Sequence, residues 1–389
     1  MKKQLAVHPF PYDAESNGFI AALSSVVCAA KKYTDETPYW CSPKGCYCKK
    51  CGGCTGQSLG KAHLSVYHCL LTASGLAFGF DYPEDDSVAA HTMPNTPVGW
   101  RWDDGFMANI MDLAGISFIR CKNKTIAEIR AVIKESIDAG YPAMVANHRV
   151  YPNEMAWVSC WKVVCGYTDD GITVMNYGGG MSDETNGLYE DIIVITGEAA
   201  RINDAGCADK DMRGQTYFDV LRRIYAVLSD PSHDALENEI MTDLSNVTPE
   251  NAAIFSHKLM GINSVLIEAR WHAAEAFTSK DNLLYSLVDS LPANSAASDE
   301  WKAAAEKLAD LFFTRYIAQG NNETHGIGWE IWACLKVGPQ TGYLPGDESF
   351  KLIQQPGVQN ELKRLFRIVF DNDRAVANGI MEILNTVRN

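Results

Sequence analysis

The hydrophobic period of this chain changes twice, and that change limits the fold more than any single motif does. Four runs between residues 141 and 196 have strand composition: YPAMVANHRV (141–150), AWVSCWKVVCGY (156–167), GITVMNYG (171–178) and DIIVIT (191–196). β-branched and aromatic residues suit a pleated, packed surface. Asp169-Asp170-Gly171, between the second and third runs, is hairpin-turn chemistry. Before this block the signals are helical. FIAALSSVVCAAKKY (19–33) is apolar enough for a buried helix, and SLGKAHLSVYHCLLTASGLAF (58–78) reads as a second, ending near Gly75 or Gly79. Thr125 and Glu128 in TIAE form a capping box that opens a helix with Ile126, Ile129, Val132 and Ile133 inward, stopping at Gly140. Helices followed by an antiparallel sheet are the order of an α+β domain rather than a doubly wound one.

Beyond about residue 205 the strand signals stop. Thr248-Pro249-Glu250 supplies an N-cap with proline in the first turn, followed by an amphipathic stretch to Phe277. Ser298 is expected to cap a helix closed by Gly320, and the last forty residues read as two more helices. At 389 residues, two domains are the default. The expected division is an α+β domain over 1–204 and an all-α domain over 205–389, with no clean internal repeat.

Hydrophobic residues make up 47% and charged residues 21%, which fits a soluble protein with a substantial core. A net charge of −14 and a pI near 5.1 argue against nucleic-acid binding, which needs clustered Lys and Arg. They argue equally against a polybasic membrane-surface protein. The N-terminal apolar run is broken by His8, Pro9 and Pro11, too soon for a signal segment, so a cytoplasmic location is expected.

In a reducing compartment the twelve cysteines are not expected to form a disulfide framework. Five of them crowd into CSPKGCYCKKCGGC: Cys41, Cys46, Cys48, Cys51 and Cys54. Overlapping C-x-x-C units let thiolates from one tight turn converge on an ion, and Gly45, Gly52 and Gly53 let the backbone fold round it. Cys41 or Cys46 with Cys48, Cys51 and Cys54 would complete a tetrahedral zinc site. An iron–sulfur cluster is the alternative, although the Cys-Pro that ends the ferredoxin run is replaced by Cys54-Thr55. Disulfides or free thiols are the remaining possibility.

The segment GYPAMVANHRVYPNEMAWVSCWKVVCGYTDDGITVMNYGGG (140–180) has a strand ending in Gly-Tyr, an Asp-rich turn, and a strand ending in Asn-aromatic-Gly. It resembles the second half of the papain-like cysteine peptidases. The similarity is greatest to the bacteriocin-processing peptidases and the butirosin-biosynthesis (BtrH-like) acyltransferases. SGLAF at 74–78 and a helical second domain with scattered tryptophans are also similar to the latter. The resemblance implies a papain-like domain that cleaves or transfers an acyl or amide group on a peptide or small molecule. Its nucleophile would stand at the start of the first helix, its histidine six residues before the Gly of Gly-Tyr, and its orienting Asn at the end of the next strand. Ala21-Ala22-Leu23 puts the nucleophile slot at Gly18, Gly166-Tyr167 puts the histidine slot at Cys160, and Asn176 fills the third. The glutamine expected before the nucleophile is missing from PYDAESNG. A glycine has no nucleophile to offer, so either the acyl chemistry is lost or it is rebuilt with Cys160. A non-catalytic binding or scaffold protein with a zinc loop, and a metal-dependent redox protein, are the other functional classes.

Other candidates are packing residues first. Cys28 lies ten residues into the first helix, and His63 and His68 are five apart on the second. His257, His272 and His325 are lone histidines, and His148 matches no motif. Trp329 and Trp332 share a helical face, WRWDDGF (100–106) could line a cleft mouth, and YGGGMSDETNG (177–187) reads as a loop rather than a phosphate cradle.

Overall fold

The computed structural model describes residues 2–7, 18–32, 61–79, 104–146, 161–175, 180–198, 210–278, 296–318, 326–341 and 344–387. The chain divides into two compact units, Met1–Leu70 with Arg101–Cys207, and Leu71–Trp100 with Ala208–Asn389.

Unit 1 contains an antiparallel sheet. Its strands are β1 (Lys3–Gln4), β2 (Ile116–Thr125), β3 (Ala143–Ala146), β4 (Trp161–Tyr167), β5 (Ile172–Met175), β6 (Met181–Glu184) and β7 (Leu188–Glu198), in the order β2-β7-β3-β4-β5-β6, with β1 also on β4. The helices are α1 (Gly18–Ala30), α2 (Lys61–Ala73), whose last residues count with unit 2, α3 (Asp104–Ala114) and α4 (Ile126–Ala139).

Local chemistry sets the bounds of α4. Thr125 Oγ1 accepts from Glu128 N at 3.3 Å, and the Glu128 carboxylate accepts from Thr125 N at 2.7 Å, closing the capping box. Gly140, at φ 95°, ends the helix, with the amides of Gly140 and Tyr141 donating to Ile137 O and Ser136 O. Ile126, Ile129, Ile133 and Ile137 make one stripe that buries against Val145, Val164, Ile172, Val174, Ile192 and Val194. Each such side chain contributes roughly 1.5–3 kcal/mol relative to exposure. Phe19 of α1 meets Trp161, whose parity along β4 is opposite to that of Val164, so α1 covers the other face. The sheet is therefore the middle of three layers, and β3 and β5 are buried throughout.

Unit 2 is helical: α5 (Lys210–Leu228), α6 (Pro231–Ser245), α7 (Ala252–Thr278), α8 (Ala296–Phe312) running into a π-helix (Phe313–Ile317), α9 (Ile327–Cys334), α10 (Asp347–Leu352) and α11 (Pro356–Val387). α11 packs against α5, α6, α8 and α9. Its stripe of Leu362, Leu365, Phe366, Val369 and Phe370 forms a core with Leu244, Leu259, Ile331 and Leu335.

The α+β order and the helical C-terminal region match the sequence reading. Several local expectations do not. The last forty residues hold one 32-residue helix rather than two. Gly379 does not break it, because a Cβ there would stand 2.7 Å from Leu311 Cδ2; the glycine lets α8 approach. Ser298 lies inside α8 rather than capping it, and α7 starts at Ala252 after a turn in which Ala252 N donates to Thr248 O. The 177–187 stretch is not all loop, since Met181–Glu184 pairs with β5. Among the described residues no helix is long and apolar enough to cross a membrane.

Candidate functional site

Gly18 is the first residue of α1, and it is buried, as are all but one of that helix's thirteen residues. The next side chain, Phe19, meets Trp161 edge-on at 5.0 Å between ring centroids. Trp161 opens β4. On the neighbouring strand Met175 closes β5 and is paired with Val163. The start of α1, the start of β4 and the end of β5 thus share one end of the sheet. The N-terminal end of a helix favours negative charge beside it, but Gly18 itself contributes only backbone.

The Gly-Tyr pair that sets the register of the resemblance has a structural cause. A Cβ on Gly166 would lie 2.5 Å from Lys3 O, so only glycine lets β1 pass so close to β4. Tyr167 is buried, and its hydroxyl donates to Asp138 Oδ1 at 2.9 Å, linking β4 to the end of α4. Gly171 serves a second close approach, its Cβ position being 2.2 Å from Glu184 O. The hairpin closes through Thr168 N to Gly171 O at 3.0 Å.

Cys160 and Asn176, the other two slots, lie outside the described residues, as do Cys41, Cys46, Cys48, Cys51 and Cys54, together with His148, His325 and 100–103. Among the described residues no group of three or more His, Cys, Asp or Glu side chains could hold a metal ion. The five described cysteines are free thiols. Burial pushes Cys28 and Cys69 up to about 12, only partly offset by Lys31, and pushes Cys165 and Cys334 up to about 11. These four remain protonated at neutral pH and are poor nucleophiles. Cys28 is core, as its place on α1 suggested.

Of the histidines and tryptophans read as packing residues, those whose side chains are described do pack. His68 and His272 are buried, and the His257 ring lies 5.9 Å from that of Phe350. Trp329 and Trp332 meet edge-on at 5.0 Å.

The feature that sequence reasoning missed is a charged network inside unit 2. Arg270 and Asp373 are 2% and 1% exposed. Arg270 Nη2 donates to Asp373 Oδ2 at 2.7 Å and its Nε to Oδ1 at 3.1 Å. The remaining Arg270 donors reach Ala77 O at 3.0 Å and Phe78 O at 3.3 Å. Tyr316, on the π-helix, donates its hydroxyl to Asp373 Oδ1 at 2.7 Å. Burial and that carboxylate hold the phenol protonated well above its usual range. His233 Nε2 is 2.8 Å from Asp373 Oδ2, a close contact whose alignment falls short of a good hydrogen bond. Burial lowers the His233 pKa, Asp373 opposing and Arg270 reinforcing the shift. The SGLAF segment belongs to this framework: Gly75 has φ 84°, and Arg223 Nη1 donates to Ala73 O at 2.5 Å. The signal was periodicity, since Asp373 falls on the same stripe as Phe366, Phe370, Val376 and Ile380.

The architecture defines an α+β unit whose antiparallel sheet is the middle of three layers, and a helical unit. No family model, curated protein or solved structure matches the chain.

Proposed function

We propose that unit 1 is a papain-like domain whose cleft binds a peptide or small metabolite and whose ordinary Cys–His pair has been replaced. In this reading Gly18, Cys160 and Asn176 occupy the nucleophile, histidine and orienting slots. The observation that carries it is the convergence of the α1 start, the β4 start and the β5 end, anchored by the Phe19–Trp161 contact and the Val163–Met175 pairing. That is the end of the sheet to which the resemblance assigns its three slots. The Cys41–Cys54 loop is a structural zinc staple, with an iron–sulfur cluster as the alternative occupant.

A thiolate nucleophile needs a positive partner or a general base. With no histidine in the slot, Cys160 is expected to react with iodoacetamide at pH 7 no faster than an ordinary exposed thiol. Labelling read by peptide mass spectrometry separates Cys160 from Cys28, Cys69, Cys165 and Cys334, which burial keeps protonated. A Cys160 rate a hundredfold above that of free cysteine would overturn the binding-domain reading and restore an acyl-transfer enzyme. Elemental analysis is expected to return one zinc per chain with no visible absorption. A brown, iron-containing protein would instead support a redox role.

A further inference from the structure

On the sheet face away from α4, unit 1 keeps a methionine at its surface. Met181 opens the outer strand β6, pairs with Met175 of β5 and is 45% exposed. Val174, the neighbour of Met175, buries against α4, so Met175 and Met181 look to the other side. Met107, Met111, Met144, Met175 and Met260 are buried, the usual place for a flexible apolar gap-filler. Met181 gains no such burial.

Its sulfur is nevertheless held on two sides. Cys165 is buried at the irregular step of β4 between Val164 and Gly166, with its Sγ 3.5 Å from Met181 Sδ and 3.6 Å from Thr173 O. From β1, Gln4 Nε2 donates to the same Sδ at 3.0 Å. β1 itself is short, and beyond its pairing with β4 the Leu5 amide donates to Cys165 O at 2.7 Å. Lys2 with Asp183 and Lys3 with Asp138 are exposed ion pairs and add little. The Gln4–Met181 contact is thus the main side-chain tie between β1 and β6, and its acceptor is a thioether, a weak one.

We propose that Met181 is an oxidation site for hydrogen peroxide, and that its sulfoxide releases β1 from the sheet. In that step peroxide transfers an oxygen to Sδ: the O–O bond breaks, an S=O bond forms and water leaves. The sulfur loses two electrons and the peroxide gains them. Cys165 blocks the inner side of the sulfur, so the oxygen is added on the outer side, where Gln4 stands. It displaces the amide and turns an apolar side chain polar. Cys165 does not compete for the oxidant, since burial pushes its thiol up to about 11 and the thiolate is the reactive form. The site belongs to unit 1 but does not depend on a papain-like reading of it.

The test uses the whole chain, treated with hydrogen peroxide and sampled over time. Peptide mass spectrometry reads each methionine, and hydrogen exchange reads the Leu5 amide. Met181 sulfoxide is expected to form about tenfold faster than sulfoxide at the buried methionines. Leu5 exchange should rise in proportion to Met181 sulfoxide, and a methionine sulfoxide reductase with its dithiol should restore protection. Gln4→Ala, without peroxide, should loosen β1 as the sulfoxide does. Met181→Leu removes the acceptor, so its Leu5 exchange should already match that of Gln4→Ala, and peroxide should not change it further. The proposal fails if Met181 reacts no faster than the buried methionines, or if its complete oxidation leaves Leu5 exchange unchanged. It fails also if Gln4→Ala exchanges like the parent, or if peroxide still loosens Leu5 in Met181→Leu.

Discussion

In unit 1 the sheet is sealed between α1 and α4 by aliphatic and aromatic side chains, and its buried Arg120–Asp191 pair joins the outer strand β2 to its neighbour β7. Unit 2 places Arg270 and Asp373 in the middle of its packing, tied to a turn, to the π-helix and to α6. The two cores therefore exclude alternatives differently. Aliphatic layers are stabilised by area and tolerate substitutions that keep volume. A buried ion pair adds little net stability, yet demands one geometry, because breaking it leaves a bare charge. α7, the π-helix, α6 and α11 are thereby held in one mutual arrangement.

Asp373→Ala breaks that contrast most sharply. Arg270 would keep its two carbonyl acceptors but lose its counter-charge, and unit 2 is expected to lose about 3–5 kcal/mol. Hydrogen exchange of peptides from α7 and α11 reads the loss locally. The paired substitution Arg270→Met with Asp373→Leu should recover most of it; if the double variant is no better than Asp373→Ala, the pair contributes true stability rather than specificity. In unit 1, Ile133→Ala removes a fully buried side chain from the α4 stripe. About 2–5 kcal/mol should be lost from β3, β4 and β7, without change in α7 or α11 exchange. The smallest effect is a pH dependence confined to unit 2. Burial lowers the His233 pKa below its ordinary 6.5, so the folded state binds fewer protons than the unfolded one. This contribution is fully present above about 6.5 and is lost as pH falls from there through the folded pKa. Replacing His233 with Gln should flatten the acid limb of unit 2 stability; an unchanged limb would remove His233 as its cause.

Features written in neighbouring residues were legible in the sequence. The Thr125–Glu128 box, the glycine stops at Gly75 and Gly140 and the Asp-Gly turn each depend on a few adjacent groups, and each is present. The four strand-like runs correspond to β3, β4, β5 and β7 over their described residues. β2 and β6 were missed because they are half-exposed outer strands carrying Arg120, Lys122, Lys124, Asp183 and Glu184, whose side chains hide the strand period. The Arg270 network was missed because its members are 103 positions apart along the chain and meet only after folding. At the candidate site Gly18 was legible as a helix start, through the apolar run that follows it. Cys160, Asn176 and the five clustered cysteines rest on sequence alone.

The contact between Arg270 and the carbonyls of Ala77 and Phe78 also has a consequence in time. Phe78 leaves the ribosome 192 residues ahead of the arginine that will hold it. At ordinary elongation rates that is an interval of about 10–40 s. Through most of that interval the end of α2 has neither arginine to satisfy its carbonyls, because Arg223 itself follows Ala73 by 150 residues, and the sheet is made meanwhile. Synthesis of 208–389 alone creates the converse fault, two arginines folded with no turn to grip. The helical unit is thus completed by a piece of chain made long before it, and cutting the gene at the apparent boundary near residue 205 would separate the two.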